Sequence, residues 1–331
     1  MEVRYPVGRK RGKLVDMIDT FEAAVGQQRG RIYTELDETS EVEITDALEL
    51  GKVMLQQYVL HYGDETEWEV IHTEAPFQID VPHPTKPGKT VVVYAGTWDL
   101  LAWNRRTKEF WLWDHKTAKV LPSTNPRFLE LDDQGGSYLW VAKEVLLHKG
   151  LLKKKDHIEG ITFSYARKAM PDNRPLDASG VARNKPQKTH YVEALEAAGV
   201  ELPARTPTLP VLHLMAVQAD LTVLGDVSAL QPTPRFVRHD TYRNEVQQVA
   251  QARRVQQEAG VMALQLKGKL PIWKNPTKDC GTCAIFEACE SHERGEDWQA
   301  VLATTHHKDD VYADHREAME RSGIELTPKF I

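Results

Sequence analysis

Residues 96–99 read Gly-Thr-Trp-Asp, and after fourteen intervening residues 114–117 read Asp-His-Lys-Thr. The second set lies inside the run Glu109-Phe-Trp-Leu-Trp-Asp-His-Lys-Thr-Ala118. Side chains alternate between faces along a strand. Asp114 and Lys116 therefore share a face with Phe110 and Leu112, and Trp111, Trp113 and His115 share the other. Thr90 to Trp103 reads as the preceding strand and Asn104 to Lys108 as a polar turn, so the hairpin brings Asp99 alongside. Two carboxylates and an ammonium then converge at the end of a sheet. Burying two like charges is costly unless a cation joins them. Two carboxylates, a backbone carbonyl and waters suit Mg²⁺ or Mn²⁺, which can polarise a phosphoryl oxygen and acidify a water. Lys116 can then position or activate the attacking water and offset charge at phosphorus. The plain alternative is a solvated hairpin carrying an Asp–Lys pair, which would have little use for Trp111, Leu112 and Trp113 in a row.

Outward from this hairpin, Trp68 to Val81 alternates loosely and Pro82 to Gly88 is a turn. Together these segments form a β-meander. Upstream, Val15 to Val25 predicts a helix, Glu35 to Thr45 an acidic loop, and Asp46 the N-cap of a helix running to about His61, with Gly63 ending it. Downstream, Pro122 to Asp133 reads as loop. Gln134 to Lys149 predicts a helix capped by Gly150, and Ile158 to Ala166 a strand. Met170 to Thr189 reads as a loop of about twenty residues, long enough to imply a task such as lid or substrate contact. Val211 to Leu224 reads as strand, Asp240 to Leu266 as a long polar helix and Trp298 to Ser322 as a terminal helix. The expected fold class is α/β, a central mixed sheet flanked by helices, with a C-terminal cysteine-containing helical segment. Residues 1–45 form an N-terminal segment, 46–270 the core with its basic loop near 170–189, and 271–331 the cysteine and helical segment.

The chain has 331 residues, 41% hydrophobic and 27% charged, which excludes a disordered, collagenous or coiled-coil protein. No apolar run reaches the ~18 residues of a membrane span and no signal peptide opens the sequence, so a cytoplasmic location and no membrane partner are expected. The net charge of −6 hides an asymmetry. Eleven Lys or Arg stand against five Asp or Glu between Lys143 and Lys188, peaking at Leu151-Leu-Lys-Lys-Lys155. Such a run is either a solvated surface or a track for phosphates. Gly8-Arg-Lys-Arg-Gly-Lys13 lacks the spacing and the Ser or Thr of a phosphate loop. His306-His307 with Asp309-Asp310 reads as a solvated helix face before it reads as a metal site.

Gln134 and Tyr138, at i and i+4, lie on one helical face. They either face the metal site, or Gln134 caps the helix while Tyr138 joins the core. Taken in order, Gly-x-x-Asp99, Asp114-x-Lys116-Thr and Gln134-x-x-x-Tyr138 resemble the RecB-type branch of the PD-(D/E)XK nucleases, as does Glu74-Ala-Pro-Phe-Gln-Ile-Asp80 upstream. The resemblance covers Ala47 to Lys149 and implies a restriction-endonuclease-like core. It makes Asp99 and Asp114 metal ligands, Glu74 a further ligand, Lys116 the catalytic lysine, and Gln134 and Tyr138 contacts to DNA or to the site. The family's Gly-x-x-x-His helix pattern is not kept: Gly51 is followed by Leu55, with His61 further along.

All three cysteines fall within ten positions, Cys280-x2-Cys283-x5-Cys289, which excludes a disulfide scaffold and reads as a soft ligand set. The spacing is similar to that of RecB-type nucleases with a [4Fe–4S] cluster, such as AddB and the CRISPR-associated relatives, whose fourth cysteine has no counterpart here. A cluster with a non-cysteine ligand, zinc held with His292, and a site without metal all stay open. The motif strings resemble stand-alone RecB-like exonucleases, including those of bacteriophages. They imply a metal-dependent DNA exonuclease in recombination, repair or phage DNA processing, with DNA as partner and a helicase or recombination protein alongside; a phage protein would act in the bacterial host cytoplasm. The competing reading is a DNA- or partner-binding module that keeps the fold without turnover.

Overall fold

The structure is a computed structural model that describes residues 3–8, 10–32, 38–122, 127–148, 150, 152–153, 156–271, 274–306, 313 and 316. Two helices, α1 (Leu14–Ile32) and α2 (Glu38–Tyr62), precede the strands β1 (Trp68–Pro82), β2 (Thr90–Asn104) and β3 (Glu109–Ala118). Helix α3 (Asp133–His148) crosses to β4 (Ile158–Arg167). Helices α4 (Lys188–Ala197) and α5 (Leu209–Gln218) follow, then β5 (Phe236–Tyr242), α6 (Glu245–Leu266), α7 (Phe286–Glu293) and α8 (Trp298–Thr305). The sheet runs in sequence order, β1-β2-β3-β4-β5. Every neighbouring pair is antiparallel except β3 and β4, which are parallel and need the α3 crossover. This mixed sheet flanked by helices bears out the α/β expectation.

The alternation read from Glu109 to Ala118 separates two cores. Leu112 and Leu101 join Phe163, Ile161 and the buried stripe of α3, including Leu139, Ala142, Val145 and Leu146. Trp111 and Trp113 join Tyr5, Tyr58 and Leu100 on the opposite face, beneath α2. Helix α3 can lie close to the sheet because of Gly135, where a Cβ would come within 2.9 Å of Phe163 Cζ. Gly63 and Gly150, at φ +57° and +69°, end α2 and α3 as expected.

Three expectations need correction. Helix α2 begins at Glu38, so part of the acidic loop is helical; glutamates are good helix formers and suit a helix N-terminus. Val211–Leu224 is not a strand. Pro210 begins α5 at its first turn, after Thr208. Leu212 and Ala216 are buried against Tyr191 and Leu195 of α4, four residues apart as a helical face requires, while Val211 and Val217 are exposed. The long helix starts at Glu245 rather than Asp240: Asn244 accepts a hydrogen bond from the Gln247 amide at 3.0 Å, and the residues before it form β5. The 170–189 loop is pinned by two single bridges, Leu176 to Ala182 and Arg183 to Val227. Leu151, Lys154 and Lys155 of the basic peak, His307, Asp309 and Asp310, and most of the terminal helix expected beyond His306 lie outside the described residues.

Candidate active site

The sheet forks at Asp99 and Asp114. The β2–β3 ladder ends at the pair Leu100–Trp113. Beyond it, β2 continues only with β1, as far as Pro82–Thr90, and β3 continues only with β4, from Asp114–Phe163 to Ala118–Arg167. The register that pairs Leu100 with Trp113 sets Asp99 level with Asp114 at the point of divergence. The backbone N–H of His115 donates to Asp99 Oδ2 at 2.6 Å and holds that carboxylate at the fork. Thr73 pairs with Leu100 and Ala75 with Trp98, which brings Glu74 level with Asp99. Glu74 has φ +44°, a left-handed conformation that a non-glycine residue rarely takes and that concentrates at functional sites.

Lys116 Nζ lies 2.7 Å from Asp114 Oδ2 and donates to Gln134 Oε1 at 2.8 Å. Gln134 Nε2 in turn donates to the Tyr138 hydroxyl at 3.0 Å. Gln134 is free for this because Asp132 caps the helix, its Oδ1 accepting from the Gly135 amide at 2.7 Å. The Tyr138 ring meets Phe77 edge-on at 5.9 Å while its hydroxyl ends the polar chain. Asp99, Asp114, Lys116, Gln134 and Tyr138, drawn from β2, β3 and α3, are thus brought together across the fork.

Desolvation lifts Asp99 from 3.8 to about 6, the His115 amide works against this, and the charges of Asp114 and then Glu74 add to it. Burial raises Asp114 too, with Lys116 opposing. The ammonium offsets the charge of Asp114 Oδ2, yet that buried oxygen has no hydrogen bond of regular angle. Two carboxylates raised by burial, Asp99 further by the charges of Asp114 and Glu74, fit a hard divalent cation. Among the described residues no three His, Cys, Asp or Glu side chains already stand as a closed ligand cage. Mg²⁺ does not need one, because it commonly takes one or two carboxylates and keeps several waters.

The cysteines fit their expected group less well. Cys280 lies in a short 3-10 turn, Cys283 ends that turn and Cys289 lies in α7. All three are free thiols, and Cys283 and Cys289 are exposed. An iron–sulfur cluster or a structural zinc requires converging protein ligands, and no such group of His, Cys, Asp or Glu forms here among the described residues.

Behind the fork, on the other face of β3, lies a buried polar network that the sequence reading missed. Arg238 of β5 donates to Glu65 Oε1 at 2.6 Å and to the Tyr58 hydroxyl at 3.0 Å. Its guanidinium stands 3.5 Å from the Tyr62 ring centroid and 4.3 Å from that of Trp113. The Tyr5 hydroxyl donates to Glu65 Oε2 at 2.6 Å. Burial, followed by the Arg238 charge, pushes the His115 imidazole down to about 3, so a neutral ring backs the amide that holds Asp99. The strand-favouring residues Phe236, Val237, Thr241 and Tyr242 were the available sign of β5.

A family model for the PD-(D/E)XK nuclease superfamily matches residues 15–290. No curated protein matches the chain. No helix among the described residues is long and apolar enough to cross a membrane.

Proposed function

The chain belongs to the PD-(D/E)XK nuclease superfamily, and we propose that it is a metal-dependent DNA nuclease of the RecB-like branch, acting as an exonuclease in recombination, repair or phage DNA processing. The observation that carries this reading is the fork itself, where Asp99, Asp114 and Lys116 meet with Gln134 holding the lysine. Asp99 and Asp114, with Glu74 level beside them, are the residues to hold Mg²⁺ or Mn²⁺. Such a cation supplies charge neutralisation and polarises the phosphoryl oxygen. Lys116 positions the attacking water and offsets the negative charge that grows on the phosphoryl oxygens as a P–O bond forms to water and the bond to the leaving oxygen breaks. Gln134 fixes the ammonium, so that its approach to the phosphate needs little reorganisation, and Tyr138 fixes Gln134.

The experiment is incubation of end-labelled single- and double-stranded DNA with the protein and Mn²⁺, beside Asp114→Asn. The expected result is metal-dependent release of short products from the ends by the wild type and none by the variant. Cleavage that survives Asp114→Asn overturns the site. Binding without any metal-dependent cleavage favours the alternative reading, a DNA-binding module that keeps the fold without turnover. An internal ladder overturns the exonuclease assignment alone.

A further inference from the structure

The excursion from β4 to β5 carries α4 and α5 and leaves and rejoins the sheet beside the fork. Arg167 stands at its departure and Arg235 at its return, and the Arg167 amide donates to the Arg235 carbonyl at 2.8 Å. The register places both with respect to the lysine: Lys116 pairs with Tyr165 and Tyr165 with Val237, and two residues further Ala118 pairs with Arg167, level with Arg235. A step of two residues keeps the face, so both arginines lie on the Lys116 face, one pleat repeat or roughly 7 Å beyond it.

Neither arginine has an acidic partner among the described residues. Arg167 donates to the Thr233 hydroxyl and Arg235 to the Ala169 carbonyl. Arg235 Nε is buried without a hydrogen bond. Burial, and then the charge of Arg167, lower its proton affinity. Arginines further into the same excursion are arranged differently: Arg174 meets Asp172, and Arg183 lies 3.8 Å from Asp177. Two half-buried like charges held side by side, uncompensated at the edge of a phosphodiesterase cleft, are costly unless an anion joins them. The guanidinium fork matches phosphate oxygens.

We propose that Arg167 and Arg235 form a paired phosphate clamp for the substrate strand, seating a phosphodiester next to the one cleaved at Asp99, Asp114 and Lys116. The clamp rests on the nuclease reading and adds to it a second contact point on the DNA backbone. The exocyclic nitrogens of both guanidiniums address one phosphate while Lys116 addresses its neighbour, which fixes the distance between the seated linkage and the cut.

The test is equilibrium binding of the full chain to a labelled single-stranded oligonucleotide in EDTA, where no cleavage occurs, over a range of salt concentrations. Each phosphate that loses its protein cations lowers the slope of log K against log salt by about 0.7 for a single strand, so Arg167→Gln with Arg235→Gln, which frees the one clamped phosphate, should lower it by about 0.7. Arg167→Lys with Arg235→Lys, which keeps both charges, should hold most of the slope. An unchanged slope in the Gln pair overturns the clamp, and so does an equal fall in the Lys pair. Should the Gln pair fail to fold by thermal melting, wild-type protein is tested on oligonucleotides carrying one neutral methylphosphonate at successive positions. One position should stand out as weakening binding, and a flat scan overturns the proposal. Cleavage in Mn²⁺ is scored separately: a wild type that shows the slope but cuts nothing overturns the nuclease reading and leaves the clamp standing.

Discussion

Replacing Asp99 by Asn should make the cation-free protein more stable while abolishing its activity. The carboxyl moves from 3.8 to about 6 on folding, because burial and then the charges of Asp114 and Glu74 disfavour its ionised form. That difference corresponds to roughly 3 kcal/mol against the native state at pH 8. The asparagine removes the charge and keeps an oxygen for the His115 amide, now 2.6 Å from Oδ2. The native state holds this proton more tightly than the unfolded chain does. The penalty is therefore full above about pH 6, falls as pH drops through the window from about 6 to 3.8, and is absent below it. Urea denaturation in EDTA should show Asp99→Asn more stable than wild type by up to about 3 kcal/mol at pH 8 and by about half as much at pH 5. Saturating Mg²⁺ should close the gap, since a ligand at a hundred times its Kd stabilises by about 2.7 kcal/mol. An asparagine variant that is no more stable at pH 8, or a gap that does not shrink at pH 5, refutes the electrostatic account of the fork.

Lys116→Met should lower kcat by about 10²- to 10⁴-fold with DNA affinity nearly kept, read in single-turnover cleavage and binding titrations. Gly135→Ala should cost about 1–3 kcal/mol in denaturant midpoints, because the new methyl would stand 2.9 Å from Phe163 Cζ and must push α3 from the sheet. Arg238→Met should cost about 3–5 kcal/mol by leaving Glu65, whose side chain is 6% exposed, without its cation.

The parts of the fold that were legible are those with strand-favouring residues bounded by turn signals. Glu109 to Ala118 holds a short aromatic-rich apolar run after a polar turn, and the structure returns it as β3 with the same bounds and the same division of faces. The run from Leu209 to Gln218 is apolar on every side, so period alone could not decide between strand and helix; its burial against Tyr191 and Leu195 decided. Strand β5 was hidden because Asp240 and Tyr242 run directly into the polar stretch that opens α6. Within the site, Asp114 and Lys116 could be placed on one face from spacing, but the roles of Gln134 and Asp132 could not. Which of two nearby side chains caps α3 depends on the entry angle of the preceding loop, a tertiary property. The network of Tyr5, Tyr58, Glu65 and Arg238 joins residues up to 180 positions apart and has no local signature. The cysteine spacing suggested a ligand set, and among the described residues the structure does not gather one there.

Asp99 and Asp114 must form one cation site beside Lys116 for the proposed chemistry to work. Titration of Mn²⁺ followed by electron paramagnetic resonance tests this without any need for turnover. One site should appear in the wild type, weaken at least tenfold in both Asp99→Asn and Asp114→Asn, and persist in Lys116→Met. Equal Mn²⁺ binding by wild type and both aspartate variants would contradict it.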